Sequence, residues 1–151
     1  FPDTEKVFGA YTQRQMILRA RKICESYADA YPDTDRLGIL LMGESGLGKT
    51  YLLNCILNRL IARGFAPIKV TGYRLYEAMR GTHFGDAEKR NEFDQLIGCE
   101  ALFIDDLGNL KPDNLLSVYG ERVFSRLMDG MNVAAIQLYG RDLRTASKLR
   151  K

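Results

Sequence analysis

Gly43-Glu44-Ser45-Gly46-Leu47-Gly48-Lys49-Thr50 fits the pattern G-x-x-x-x-G-K-[ST] of a phosphate-binding loop. The apolar run before it, Ile39-Leu40-Leu41-Met42, predicts a buried strand. The stretch after it, Tyr51 to Arg63, predicts a helix with Leu52, Leu53, Ile56, Leu57, Leu60 and Ile61 facing inward. That strand–loop–helix setting is what the pattern requires. The glycines let successive backbone N–H groups curl around an anion, and the helix N-terminus adds its partial positive charge at the same point. Lys49 is expected to reach the β- and γ-phosphates of a nucleotide, and the Thr50 hydroxyl to hold Mg²⁺. The expected contact set is Gly43, Glu44, Ser45, Gly46, Leu47, Gly48, Lys49, Thr50 and Tyr51. A glycine-rich turn that carries a lysine by chance is the alternative, and the flanking elements weigh against it.

The 151 residues suffice for a single domain spanning 1–151 with its own core. No stretch is long and apolar enough to suggest a membrane span. No signal peptide pattern is visible, and an opening at Phe1 rather than Met reads as a fragment or a processed form. Cys24, Cys55 and Cys99 follow no metal-ligand spacing and read as small buried thiols in a reducing, cytoplasmic setting. The net charge of +3 is mild but uneven. From Arg141 onward there are five basic residues and one acid, Asp142. A solvated end is the usual meaning of such a tail, and contact with nucleic acid is the other.

Along the chain, Phe1 to Tyr31 is mostly helical in pattern. Tyr11, Met16, Ile17, Ala20, Ile23, Cys24 and Tyr27 form one stripe at three- and four-residue steps. Phe8 and Tyr11 are expected to pack under this helix, with a place beside an adenine ring as the other reading. Pro32-Asp33-Thr34-Asp35 is a turn and Gly64 a C-cap. Pro67–Thr71 predicts the second strand and Tyr73–Met79 a short helix. Arg80–Asn91 is polar, and Glu92–Ile97 is helical again. A helix over Asn114–Met128 and a last strand over Val133–Tyr139 follow.

Ala101-Leu102-Phe103-Ile104-Asp105-Asp106-Leu107-Gly108 is an apolar strand that ends in paired carboxylates, the Walker B pattern. In an open parallel sheet, ligands sit at the carboxyl ends of the strands. Asp105 is therefore expected beside the phosphate loop, holding Mg²⁺ through water. Asp106 is expected to orient or deprotonate the attacking water. Related ATPases often carry Glu at that point, so the shorter Asp leaves the hydrolysis rate open.

Together with Tyr119-Gly-Glu-Arg-Val-Phe-Ser-Arg-Leu-Met128, these motifs resemble the DnaC/DnaI-type bacterial helicase loaders, AAA+ ATPases close to DnaA and IstB. The resemblance covers almost the whole chain, including Leu-Phe-Ile-Asp-Asp-Leu-Gly and the ending Tyr-Gly-Arg-Asp-Leu-Arg. It departs after Walker B, where the family has a helix and a strand ending in a polar first-sensor signature. A segment on the order of 30–40 residues, about one βα repeat, is therefore expected to be absent between Gly108 and Asn109. On that reading Asn109 is the first-sensor residue. The Glu-Arg-x-x-Ser-Arg segment corresponds to the arginine-finger motif, with Arg122 the first choice and Arg126 the second. A guanidinium suits spread negative charge. Without the resemblance the two would read as surface arginines on an amphipathic helix.

The stretch Tyr73–Asn91 falls where the clade carries an extra helical element near single-stranded DNA. Arg74, Arg80, His83, Lys89 and Arg90 would meet phosphates there, with Tyr76 or Phe84 stacking. A solvated helical excursion is an equal alternative. The implied fold is α/β: a three-layer P-loop NTPase of the AAA+ RecA-like type, mostly parallel in its sheet, with no C-terminal helical lid. The implied activity is slow ATP hydrolysis with Mg²⁺, acting in DNA replication. The implied partners are a replicative helicase, single-stranded DNA and further copies of the chain, in the cytoplasm and without a membrane. An IstB-like transposition ATPase, a small-molecule P-loop kinase and a non-hydrolysing switch remain as alternatives.

Overall fold

Gly38 to Met42 forms the strand expected ahead of the loop, and a computed structural model describes it together with the rest of residues 6–107 and 133–142. Of Val7 and Phe8 only the backbone is described. Gly108, Asn109, Arg122, Arg126, the helix expected over Asn114–Met128 and the tail beyond Asp142 lie outside the described residues.

The described chain is α/β. In order it contains β1 (Lys6–Phe8), β2 (Tyr11–Thr12), α1 (Gln13–Ala30), β3 (Gly38–Met42), α2 (Lys49–Ala62), β4 (Ile68–Thr71), α3 (Gly72–His83), α4 (Ala87–Ile97), β5 (Leu102–Asp105) and β6 (Val133–Gln137). The described strands make three two-stranded sheets. β1 and β2 are an antiparallel pair, whereas β3 with β6 and β4 with β5 are parallel. Two compact units result, one drawn from Phe1–Ile56 and Arg126–Lys151, the other from Leu57–Ser125.

In the first unit, β3 and β6 pair in an unbroken register from Gly38↔Val133 to Met42↔Gln137. α1 opens with a capping box: Thr12 Oγ1 accepts from Gln15 N at 3.3 Å, while Thr12 N donates to Gln15 Oε1 at 2.9 Å. These bonds satisfy donors that a helix start otherwise leaves orphaned. The helix buries Ile17, Ala20, Cys24 and Ala28, a narrower stripe than its apolar spacing predicts. Ile23 is 44% exposed, because it falls off the centre of that stripe. Among the described residues helical structure begins at Gln13, since Lys6–Thr12 turns through Gly9-Ala10 into the β1–β2 hairpin. Tyr11 does not pack beneath α1; it lies exposed with the Arg19 guanidinium 5.6 Å from its ring centre. At that distance the ring face attracts the cation.

α2 begins in the first unit and ends in the second. It buries Leu52, Ile56 and Leu60, one residue per turn. Ile61 is 54% exposed, one step round the helix from Leu60 and off the inward face expected for it. Gly64 closes the helix with φ +90°, the left-handed C-cap its sequence signals.

The second unit is a βααβ arrangement. β4 and β5 pair in parallel from Ile68↔Leu102 to Thr71↔Asp105. Val70, Ala78 and Leu96 form the buried centre, with Ile68, Leu75, Phe93, Leu102 and Ile104 packed around them. The two helices between the strands are longer than their apolar pattern predicts. α3 runs on to His83, and α4 starts at Ala87 because Asp86 Oδ1 accepts from Glu88 N and Lys89 N at 3.0 and 3.1 Å.

Candidate functional site

The loop Gly43–Gly48 leaves the end of β3 and runs into the first turn of α2, where Leu52 N donates to Gly48 O at 3.0 Å. Leu47, midway round the loop, is buried and anchors it. Gly43, Gly46 and Gly48 hold φ values of +137°, +78° and +96°. Residues other than glycine rarely hold such values. On the inner side, a Cβ placed at Gly48 would lie 3.3 Å from Ile17 Cδ1, so α1 backs the loop directly.

Lys49 folds back over this loop. Its Nζ donates to Gly43 O at 2.8 Å and to Glu44 O at 2.6 Å. An ammonium beside a helix N-terminus suits a phosphate group. Glu44, Ser45 and Thr50 are exposed on the same loop. Tyr51 is also exposed, receives a 3.3 Å hydrogen bond on its hydroxyl from Arg21 Nη1, and lines an open cavity of about 380 Å³ with Arg14, Ile17, Leu18 and Arg21. The first unit thus brings together all nine loop residues read from the sequence.

Asp105 and Asp106 belong to the second unit. Asp105 ends β5 half-buried, and its carboxylate is held on two sides. Lys69 Nζ lies 2.9 Å from Oδ2, and Asp106 N donates to Oδ1 at 3.0 Å. Asp106 is exposed with φ +50°, a left-handed conformation that short polar side chains tolerate better than most. The two carboxylates therefore leave the strand end in different backbone conformations. Among the described residues no group of three or more His, Cys, Asp or Glu is placed to hold a metal by itself.

Arg74, Arg80 and Lys89, expected as phosphate contacts, all sit in ion pairs. Arg74 Nε and Lys89 Nζ share Glu92 at 2.6 and 3.0 Å, and Arg80 Nε lies 3.5 Å from Glu77 Oε1. The two cations hold the Glu92 carboxyl below its usual range, and Glu92 in turn raises the Lys89 ammonium. His83 and Arg90 are exposed, as is Phe84 at 81%.

Three contributors escape a reading of motifs. Lys69 lies in no pattern; only its alternation with Thr71 on one face of β4 points towards Asp105. Gln13 is the one polar residue among the buried described residues, and its amide grips Arg141 across 128 positions. Asp142 looks like a stray acid in a basic tail but meets the loop at Gly46. No helix of the described residues is long and apolar enough to cross a membrane. Compared with known proteins, the chain matches no protein-family model and no curated protein.

Proposed function

We propose that this chain is an Mg²⁺-dependent ATPase of the helicase-loader type, built on a three-layer P-loop core with a mostly parallel sheet. One observation carries the nucleotide part: the loop Gly43–Gly48 spans a strand end and a helix start, with three positive-φ glycines and Lys49 folded across it. On this reading the loop amides and Lys49 bind the phosphates. Thr50 and Asp105 hold Mg²⁺, which when bound offsets phosphate charge. Asp106 orients the attacking water. Asn109 and a neighbouring copy's Arg122, or Arg126, complete the site; these three lie outside the described residues.

The loader role rests on the resemblance of the motifs. It entails ATP-dependent assembly of several copies, binding to single-stranded DNA and to a replicative helicase, and action in the cytoplasm. The test is ATP turnover by the full-length protein with and without single-stranded DNA, alongside capture of the host's replicative helicase with and without ATP. Turnover without helicase capture in either state would undo the loader role and leave the ATPase.

A non-hydrolysing switch is the second reading. It is favoured by Asp106, whose carboxylate is one methylene shorter than Glu and whose backbone sits at φ +50°. ATP binding without turnover, even with DNA and helicase present, would decide for it.

A further inference from the structure

The segment after β6 lies against the phosphate loop. Leu138 N donates to Met42 O at 2.9 Å, and Leu138 O lies 2.7 Å from where a Cβ on Gly43 would stand. Four residues on, the carboxylate of Asp142 packs on Gly46, with Oδ1 and Cγ filling the space a Cβ would take and Oδ2 2.7 Å from it. Only glycine permits this approach, and its φ of +78° is one that other residues rarely hold.

What holds the segment there is Gln13, 4% exposed at the start of α1. Its Nε2 donates to Arg141 O at 2.9 Å, and its Oε1 accepts from Arg141 N at 3.3 Å. Both polar ends of one buried amide are thus spent on one backbone unit. Gly140 makes this possible, because a Cβ there would stand 2.7 Å from Gln13 Nε2 and Oε1. The clamp fixes Arg141, and the next residue is Asp142.

We propose that Asp142 is a built-in competitor of the loop's phosphate ligand: its carboxylate lies against the loop at Gly46, where it opposes a second anion, and Gln13 keeps it there. A carboxylate and a phosphate are both anions, and like charges close together on one loop repel. Binding of the triphosphate must then displace the segment 138–142 from the loop. This rests on the phosphate reading of Gly43–Thr50.

The experiment is titration calorimetry of the full chain with ATP and with pyrophosphate, each with and without Mg²⁺. The variants are Asp142→Asn, Gln13→Met and both together, with circular dichroism to check folding. Asp142→Asn keeps the side chain's size and removes its charge. Its affinity for both ligands without Mg²⁺ should rise about three- to tenfold, as removal of one nearby like charge predicts. Gln13→Met should act in the same direction, and the double variant should exceed Asp142→Asn by nothing further. If the wild type binds and Asp142→Asn binds equally or more weakly, competition is overturned while the phosphate reading stands. A loss confined to the Mg²⁺ titrations would make Asp142 a metal ligand and overturn it too. No binding by any form would overturn the phosphate reading itself.

Discussion

Lys69 Nζ lies 2.9 Å from Asp105 Oδ2, two residues before Thr71, the direct cross-strand partner of Asp105 in the β4–β5 ladder. The pair decides what state the strand-end carboxylate is in before any cation arrives. If Asp105 holds Mg²⁺ as proposed, an ammonium at that distance repels the cation and competes for the same oxygen. Lys69→Met is therefore expected to lower the Mg²⁺ concentration for half-maximal ATP turnover several-fold. Because the pair is part-exposed, folding stability should fall by less than about 1 kcal/mol. A Mg²⁺ titration of turnover, paired with a denaturant melt, checks both.

Glu92 pairs with both Arg74 and Lys89, and all three belong to the second unit. If this face meets single-stranded DNA, Glu92→Gln should tighten binding and steepen the salt dependence by about one to two phosphate equivalents. Fluorescence anisotropy of a labelled oligonucleotide across a salt series reads both quantities. Unchanged affinity and slope would assign the face to the solvated reading.

The start of α1 depends on Thr12. Thr12→Ala removes one hydroxyl acceptor of the capping box and should cost about 1 kcal/mol. The denaturant midpoint should drop with no change in slope. Since Gln13 is the first helical residue, the same variant also tests whether fraying here loosens the grip on Arg141.

Cys24 is fully buried, and burial pushes its thiol up to about 11. The unfolded chain ionises this thiol first, so stability is intact below about pH 9 and declines as pH rises towards about 11. The alkaline limb of wild-type stability should be steeper than that of Cys24→Ala over that window. Native Cys24 should also resist iodoacetamide at pH 8, because the thiolate is the reactive form.

The parts of the fold legible in the sequence are those with local causes. β3, α2, the Gly64 cap and β5 follow from apolar runs, helical spacing and a glycine where the chain must turn left-handed. The expected strand before the loop and helix after it are both present, because their apolar patterns are local. The β1–β2 hairpin is hidden, since strands of two and three residues carry no measurable alternation. The early start of α4 depends on Asp86 as a cap, a signal diluted by the polar run around it. Ile23 and Ile61 are apolar yet exposed, and spacing alone could not exclude them from the buried stripes. The Gln13–Arg141 clamp and the Asp142–Gly46 contact join residues about a hundred or more positions apart, where no local period exists to be read.

On the proposed reading, Gly43–Thr50 binds nucleotide phosphate through its backbone and Lys49. Equilibrium titration of the full-length protein with Mg²⁺ and ATP, against Lys49→Ala with its fold verified, tests it most directly. One ATP bound per chain by the wild type, with affinity reduced at least about a hundredfold in Lys49→Ala as befits loss of a charge-assisted phosphate contact, is the predicted result. Equal binding by both proteins, or none by the wild type, would contradict it.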